Sequence, residues 1–483
     1  MNVLFCTSEA VPLIKTGGLA DVSGALPPAL HEIGVDCRVL LPGYPQVLDM
    51  AEPLHQVCEL HGLPGHTSAR LLQGVLPGSE VPLYVLDIPA AYDRLGGPYQ
   101  DEHGHDHADN AWRFALLAKA AAMLASEATP LGWRPDVLHC NDWQTGLAPA
   151  YLHFMGAHTG THTGSHTPSM MTVHNLAYQG IFPPEVMPRL DLPPASFAVN
   201  GIEYYGNVSF LKAGLYYANQ LSTVSPTYAR EIQQDTLGMG LQGLLRTRSA
   251  QLTGILNGID TLDWNPGIDP LIPCAYRARS PGDKRTCKQR LQERMGLNVQ
   301  NDAPLFGLIA RMTPQKGLDL VLAVAEGIVN RGGQLVMLGT GDKLIEQAVR
   351  DTAAKHPGQV ACFIGYDEAL SHQIEAGSDV FLMPSRFEPC GLNQMYSLRY
   401  GAVPIVHATG GLNDTVEDGV TGFVFHHPTP HALWLAVEQA LELYPIKPAW
   451  KRMMLNGMKQ DFSWEHSAKA YKATYQNLID ARR

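Results

Sequence analysis

The sequence of 483 residues lacks the features that mark several common classes of protein. Its eight cysteines are scattered and form no C-x-x-C pair, so neither a disulfide framework nor a zinc ribbon is indicated. No apolar run approaches the ~20 residues that cross a bilayer, and no basic segment followed by an apolar one opens the chain. We therefore expect a cytoplasmic protein with neither a membrane segment nor a signal peptide.

Positive charge is scarce as well. The 35 Lys and Arg residues are outnumbered by 46 Asp and Glu, and the formal net charge of −11 has the wrong sign for a general nucleic-acid binder. Charged residues make up only 17% of the chain and hydrophobic residues 45%, which is a globular composition. Because the chain is longer than one hydrophobic core usually organises, we predict at least two domains.

Several catalytic motifs are absent. No lysine directly follows a glycine, which removes the P-loop, and neither a G-x-S-x-G elbow nor an H-E-x-x-H helix is present. No two aspartates are separated by one residue, so the D-x-D metal clamp of many sugar transferases is missing. One G-x-G-x-x-G occurs at Gly238, Gly240 and Gly243, but it follows a polar run instead of a strand, so we predict a loop there.

Strand-like and helix-like segments alternate along the chain. In the second half, apolar segments at 305–310, 334–338, 360–364, 379–384 and 403–406 are separated by helical patterns, which predicts a doubly wound parallel sheet. The first half repeats the alternation less regularly, starting with the apolar strand 3–6. We predict two α/β domains with a hinge near 256–266, ligands bound beyond the carboxyl ends of the strands, and a docking helix at 464–481.

A glycine pair follows the first strand, in the segment K-T-G-G-L-A-D at 15–21. Gly17 and Gly18 let backbone N–H groups approach an anion, and a helix that begins there turns its positive end toward it. Lys15 adds a mobile cation, and Asp21 can accept a hydrogen bond from a hydroxyl. An ordinary strand–turn–helix connection is the alternative interpretation.

Two cations follow the first strand of the second domain. Arg311 and Lys316 flank a turn at the edge where doubly wound sheets bind ligands. A guanidinium fork and an ammonium group suit a diphosphate, whereas a role in surface solubility is the alternative.

A further strand ends in the segment S-R-F-E-P-C-G-L-N at 385–393. Here Glu388 can accept hydrogen bonds from sugar hydroxyls, while the N–H groups of Gly391, Leu392 and Asn393 can face a phosphate. Cys390 could be a nucleophile, but we favour a packing role for it.

Polar residues also occur where two predicted strands of the first domain end, in the segments H-C-N-D-W (139–143) and V-H-N-L-A-Y-Q-G (173–180). Asp142 and His174 are the candidate functional residues there, since they lie where a ligand cleft is expected. Histidines also crowd the segments 101–107 and 158–167, and the second has a histidine at every fourth position among Gly and Thr, which disfavour a helix. We expect surface loops at both, with a metal site as the alternative.

The segments at 15–21, 174–180, 257–260 and 385–391 resemble the bacterial glycogen synthases and plant starch synthases, and the resemblance runs essentially from end to end. It implies a GT-B fold: two Rossmann-like doubly wound domains, 1–255 and 256–462, that face each other across a deep cleft, with a terminal helix at 463–483 packed back on the first. It also implies transfer of glucose from ADP-glucose to the non-reducing end of an α-1,4-glucan, with retention of configuration.

The resemblance also implies roles for individual residues. The catalytic positions would be Asp142, His174, Arg311, Lys316 and Glu388. Tyr366 would stack on adenine and Tyr99 would contact the acceptor glucan. The donor-binding set would be Lys15, Gly17, Gly18, Asp21, Asn257, Tyr366, Cys390, Gly391, Leu392 and Asn393. No metal or cofactor is expected. ADP-glucose and the glucan are the expected partners, and a monomer or small homo-oligomer is the expected state.

Two departures from the family pattern stand out. The family often has H-A-H-D-W-H where this chain has H-C-N-D-W-Q at 139–144, and Tyr396 stands where related retaining transferases often have a second glutamate. We expect attack on the face that the nucleotide leaves, with the departing phosphate taking the acceptor's proton, instead of a covalent intermediate on Asp142. The alternatives are UDP-glucose as the donor, a sugar-nucleotide epimerase, and a non-catalytic glucan-binding subunit.

Overall fold

The computed structural model describes residues 1–51, 53–157 and 167–481. The chain forms two compact units. The first comprises Met1–Val224, Ala229–Gly258 and the C-terminal helix from Trp464, and the second comprises Ser225–Tyr228 and Ile259–Ser463. None of the helices in these described ranges is both long and apolar enough to cross a membrane.

The first unit is built on a nine-stranded sheet with a small three-stranded sheet beside it. Its strands are β1 (Asn2–Cys6), β2 (Asp36–Pro42), β3 (His55–Leu63), β4 (Thr67–Val75), β5 (Pro82–Asp87), β6 (Val137–Asn141), β7 (Ser169–Val173), β8 (Ile181–Phe182), β9 (Glu203–Tyr204), β10 (Asn207–Ser209), β11 (Gln220–Thr223) and β12 (Leu252–Gly254). The large sheet has the order β12-β11-β7-β6-β1-β2-β5-β4-β3 and is parallel except for β3 and β4.

The helices of this part of the chain are α1 (Gly18–Glu32), α2 (Pro45–Met50), α3 (Pro89–Tyr92), α4 (Asn110–Ala125), α5 (Leu147–Ala157), α6 (Met187–Leu190), α7 (Phe210–Tyr217), α8 (Pro226–Glu231) and α9 (Gln242–Thr247). The strands β1, β6 and β7 are almost wholly buried, which explains why apolar residues predominate in β1 and form the larger part of β6 and β7. The hairpin of β3 and β4 was not predicted, because its residues are largely exposed and show little apolar periodicity.

The second unit contains a six-stranded parallel sheet. Its strands are β13 (Leu305–Ile309), β14 (Gln334–Gly339), β15 (Val360–Ile364), β16 (Val380–Met383), β17 (Val403–His407) and β18 (Phe423–Phe425), in the order β15-β14-β13-β16-β17-β18. The helices are α10 (Lys284–Arg294), α11 (Leu318–Asn330), α12 (Lys343–Lys355), α13 (Glu368–Gly377), α14 (Asn393–Tyr400), α15 (Gly410–Thr415), α16 (Pro430–Leu443) and α17 (Lys447–Met458). The predicted doubly wound sheet is confirmed. Of its strands only the short β18 was not anticipated, and the helices α10, α15, α16 and α17 were not predicted.

The last helix, α18 (Trp464–Asp480), belongs to the first unit. It packs against α1 and buries Tyr471 and Tyr475 completely. The Lys472 Nζ donates to the carbonyl of Ile33 at 2.6 Å, and the Tyr475 hydroxyl lies 2.8 Å from His139 Nδ1. The chain therefore returns to its N-terminal sheet after completing the second unit.

Candidate active site

Three neighbouring strands of the first unit end at one edge of the sheet, where the order is β7-β6-β1. Asp142 directly follows β6, and its backbone N–H donates to the carbonyl of Thr172 on β7 at 3.0 Å. Its φ of 55° and ψ of −177° are strained for a residue with a Cβ atom, and such strain is typical of functional sites. The Asp142 Oδ1 accepts the backbone N–H of His174 at 2.7 Å, which ties the ends of two strands together.

Burial shifts the pKa of both Asp142 and His174 toward the neutral form. Burial raises the pKa of Asp142 to about 7, although the backbone N–H groups of His174 and Asn175 favour the carboxylate. Burial lowers the pKa of His174 to about 3, so its imidazole is neutral at physiological pH. The His174 Nε2 lies 3.0 Å from Oδ1 of Asn141, the last residue of β6.

The glycine loop after β1 is held by a residue that sequence reasoning missed. The Glu9 Oε2 accepts the backbone N–H groups of Thr16 at 2.5 Å and of Gly17 at 3.1 Å. In this structure the buried Glu9 carboxylate already occupies the Gly17 N–H, so the contact of that N–H with a ligand anion stays a prediction. A charged residue in the short loop after a buried strand was the sequence signal that could have identified Glu9.

The same loop still leaves room for a ligand. A Cβ atom added at Gly17 or at Gly18 would meet no atom of the protein within 4 Å, and the φ of Gly17 is −148°, so neither backbone strain nor packing requires glycine there. The Lys15 Nζ forms an exposed ion pair with Asp21 at 2.7 Å. This pair brings together two of the predicted donor-binding residues.

Tyr99, predicted to contact the glucan, packs behind the loop. Its hydroxyl donates to Glu9 Oε1 at 2.8 Å and lies 2.7 Å from the Ser8 Oγ. Its ring lies against Phe114 and Trp143. Because the hydroxyl is engaged within the protein, the direct contribution of Tyr99 in this structure is to orient Glu9, and its contact with the acceptor stays a prediction.

In the second unit, two predicted residues meet beyond the adjacent strands β13 and β16. The Lys316 Nζ forms a largely buried ion pair with Glu388 Oε2, which also accepts the Ser385 hydroxyl at 3.0 Å. Arg311 is exposed, and its guanidinium forms no hydrogen bond or ion pair with any described residue. The sequence did not identify Ser385, which supports the orientation of Glu388.

The segment from Cys390 to Asn393 opens helix α14. Gly391 has a φ of +72°, and a Cβ atom there would approach the Gln394 Oε1 to 2.6 Å, so glycine is required. Cys390 is buried, in agreement with the packing role. Within the described chain, the backbone N–H groups of Gly391, Leu392 and Asn393 have no acceptor. Three consecutive donors and a helix N-terminus make this an anion-binding arrangement.

The two remaining predicted donor residues differ in environment. Tyr366 follows β15, is 79% exposed, and its hydroxyl donates to Glu368 Oε2. Its ring therefore offers an open aromatic face to a base. Asn257, in the first unit, is buried, and its Oδ1 has no hydrogen-bond partner among the described residues. A buried amide oxygen without a protein partner is costly, so this oxygen is available to a hydrogen-bond donor from outside the chain.

One cluster in the described chain has the composition of a cation site. Ligand atoms of Asp263, Glu368 and His372 lie within 4.8 Å of one another. His372 stacks on Trp264 at 3.8 Å, and its Nδ1 lies 2.8 Å from Asp269 Oδ2. Burial lowers the His372 pKa, but the hydrogen bonds to Asp269 and Glu368 outweigh it and raise the value to about 9. The imidazole is therefore protonated at neutral pH, and the cluster is an ion-paired network.

No histidine of the described segment 101–107 takes part in these arrangements. In the segment 101–107, Asp101 accepts the backbone N–H groups of His103 and His105 at 2.9 Å, and the histidine side chains of this loop are mainly solvent-exposed. The segment 158–167 lies outside the described residues except for Thr167, which is buried and donates to the carbonyl of Ala125.

Two family models match the chain. Residues 2–247 match the starch synthase catalytic domain, and residues 289–456 match the glycosyl transferases of group 1. The glycogen synthase of Nitrosospira multiformis is 51% identical over 495 residues, which cover 100% of this chain and 98% of that protein. The glycogen synthase of Aromatoleum aromaticum is 52% identical over 484 residues, which cover 98% and 96%.

Solved structures agree with the family models. The catalytic domain of starch synthase IV from Arabidopsis thaliana, bound to ADP and acarbose, matches with a TM-score of 0.86 at 30% identity over 99% of both chains. Sucrose-phosphate synthase from Thermosynechococcus elongatus shares the fold, with a TM-score of 0.57 at 18% identity over 99% of both chains. The predicted two-domain glycosyltransferase fold is confirmed.

Proposed function

The chain belongs to the family of glycogen synthases and starch synthases, so glycogen synthesis by glucosyl transfer is its activity, and we propose that it uses ADP-glucose as the donor. Glucose passes to the non-reducing end of an α-1,4-glucan with retention of configuration, and ADP is released. The related Arabidopsis structure holds ADP and acarbose, which supports a nucleoside diphosphate and a glucan-like molecule as ligands.

One observation carries the proposal for the donor. At the start of α14, three consecutive N–H groups have no acceptor in the described chain, and Arg311 of the same unit has no ionic partner there. Backbone donors at a helix N-terminus and a guanidinium fork are suited to the oxygens of a diphosphate. Tyr366 then supplies an exposed aromatic face for adenine.

The glucosyl group of the donor is uncharged, unlike the diphosphate. Its binding site therefore requires hydrogen-bonding side chains and no cluster of cations. In the second unit, Glu388 is the acceptor for hydroxyls, and its ion-pair partner Lys316 is the cation for the diphosphate. In the first unit, the Asn257 Oδ1 needs a donor, and Asp142 and His174 stand together at the sheet edge. Each unit by itself therefore contains acceptors of the kind that a glucosyl ring requires.

Bond cleavage places negative charge on the leaving ADP and oxocarbenium character on the sugar. Arg311, Lys316 and the N–H groups of α14 are positioned to stabilise the leaving charge, and such preorganised electrostatics commonly supply the largest share of catalysis. Transfer then needs no bound metal. The Asp142 Oδ1 already accepts the backbone N–H of His174 at 2.7 Å, which restricts its use as a nucleophile and supports attack on the same face with the leaving phosphate accepting the proton.

The test is ADP release from ADP-glucose, with and without glycogen, in the presence of EDTA. We expect release that depends on glycogen and is unchanged by EDTA. ADP release without glycogen would contradict transfer and indicate a hydrolase, whereas conversion of the sugar nucleotide without net ADP release would favour an epimerase. Loss of release in EDTA would contradict metal independence. A higher kcat/KM with UDP-glucose than with ADP-glucose would identify UDP-glucose as the donor. If neither donor releases its nucleoside diphosphate, the result would favour a non-catalytic glucan-binding subunit.

A further inference from the structure

Asn141 connects two strands of the first unit through its side-chain amide. It ends β6 and is fully buried. Its Nδ2 donates to the carbonyl of Cys6 on the neighbouring strand β1 at 3.1 Å. Because that contact orients the amide, its Oδ1 faces the Nε2 of His174 at 3.0 Å and can only accept a hydrogen bond.

The proton of His174 must therefore lie on Nε2. A neutral imidazole has one N–H donor and one acceptor, and the hydrogen bond made by one nitrogen determines the role of the other. The Nδ1 is left as the acceptor, and it forms no hydrogen bond with any described residue. Two titratable neighbours face His174: His139, which is also buried and neutral with a pKa of about 3, and Asp142, whose Oδ1 accepts the His174 backbone N–H.

We propose that Asn141 is a positioning residue that holds His174 in the Nε2–H tautomer, so that Nδ1 accepts a hydrogen bond from a hydroxyl of the transferred glucose. The sugar contact rests on the proposed function, whereas the tautomer does not. Asparagine cannot titrate, so the tautomer is the same across the whole working pH range. The family often has histidine at this position. This chain therefore fixes the tautomer of His174 with a residue that differs from the common family pattern.

The tautomer is measured directly in the free protein. Labelling histidine with ¹⁵N and recording long-range ¹H–¹⁵N spectra distinguishes a protonated from an unprotonated ring nitrogen, and the His174→Gln variant identifies the signal. We expect Nε2 protonated and Nδ1 unprotonated from pH 6 to pH 8. A proton on Nδ1, or on both nitrogens, would overturn the proposal even if the enzyme is fully active.

Two variants separate positioning from a structural role. Asn141→Leu removes the acceptor, and we expect a mixture of tautomers and about a tenfold loss of kcat/KM for ADP-glucose, the value of one hydrogen bond, with KM for glycogen unchanged. Asn141→Asp keeps the acceptor oxygen but adds a charge that stabilises the imidazolium. We expect its tautomer to stay unchanged at pH 8 and its activity to fall on the acid side, because protonated Nδ1 can no longer accept.

The outcomes differ from those of a purely structural role. If Asn141 only supports the strand, both variants lower Tm and activity in parallel, without a new acid limb in the pH profile and without a change of tautomer. That result would reject the proposal. If Asn141→Leu does not fold, the spectra of the unmodified protein and the profile of Asn141→Asp still decide it. Failure of ADP release in the unmodified enzyme would instead reject the proposed function.

Discussion

The Nζ of Lys316 lies 2.5 Å from the Oε2 of Glu388, so two residues with separately predicted roles form one ion pair. The pair bridges the ends of the neighbouring strands β13 and β16. Its side chains are 17% and 9% exposed, which limits screening by water. The cation predicted for the diphosphate and the acid predicted for the sugar therefore influence each other before any ligand binds.

Replacing Arg311 by alanine should affect turnover alone, whereas replacing Lys316 should affect both turnover and stability. Arg311 has no partner in the described chain, so Arg311→Ala should lower turnover by at least ~100-fold, as loss of an oxyanion donor does, without changing Tm. Lys316→Ala should lower turnover similarly and also cost about 2 kcal/mol of stability, because Glu388 stays buried without its cation. Steady-state kinetics and thermal unfolding measure both effects.

The exposed Lys451 on α17 provides the control for these variants. Lys451→Ala removes the same charge from the same unit, and we expect normal turnover and normal Tm. Near-normal turnover in Arg311→Ala would contradict the assignment of the diphosphate site.

The strained backbone of Asp142 predicts opposite changes in stability and activity. Asp142→Gly relieves a φ of 55°, whereas Asp142→Ala keeps that strain, and both variants remove the acceptor for the His174 N–H. We expect both variants to lose most of their turnover and the glycine variant to be about 1 kcal/mol more stable than the alanine variant. Chemical denaturation measures the difference, and a less stable glycine variant would show that the conformation is not strained.

Stacking on adenine by Tyr366 is tested against a matched tyrosine. Tyr366 and Tyr205 are 79% and 77% exposed, and Tyr205 has no predicted role. Tyr366→Ala should raise KM for ADP-glucose about tenfold, since stacking of a base is worth ~1–3 kcal/mol, while Tyr205→Ala should leave KM unchanged. Tyr366→Phe keeps the ring and should retain most of the affinity. An equal loss in the phenylalanine variant would assign the effect to the hydroxyl.

Glu375 on α13 predicts a pH-dependent gain in stability. It is fully buried, neither carboxyl oxygen has a hydrogen-bond partner among the described residues, and burial raises its pKa well above 4.5. The unfolded chain therefore releases this proton first, so the group destabilises the fold increasingly as pH rises above 4.5. Glu375→Met should be about 1–3 kcal/mol more stable at pH 7.5.

The pH dependence is the sharper part of that test. The difference in free energy of unfolding between Glu375→Met and the unmodified protein should shrink as pH falls to 4.5. Urea denaturation at several pH values measures it. A difference that does not change with pH would mean that the carboxyl is not the cause.

Sequence patterns predicted most strands of the two large sheets because buried parallel strands are mainly apolar runs, as in β1 and β13. The half-exposed hairpin of β3 and β4 has no such signature and was missed. In the candidate site, the residue types were predictable where glycines or charges follow a buried strand. Their partners were not: Glu9 occupies the N–H of Gly17, and the Tyr99 hydroxyl binds Glu9.

The amino-acid sequence by itself determined the family, the alternation of strands and helices, and the places where polar residues leave the strands, because these are local patterns of hydrophobicity and short motifs. Only the tertiary structure decided which polar groups meet. Asn141 and His174 are 33 residues apart, and Lys316 and Glu388 are 72 apart. Each pair meets because parallel strands distant in sequence lie side by side, and crossover connections, not local periodicity, determine which strands become neighbours.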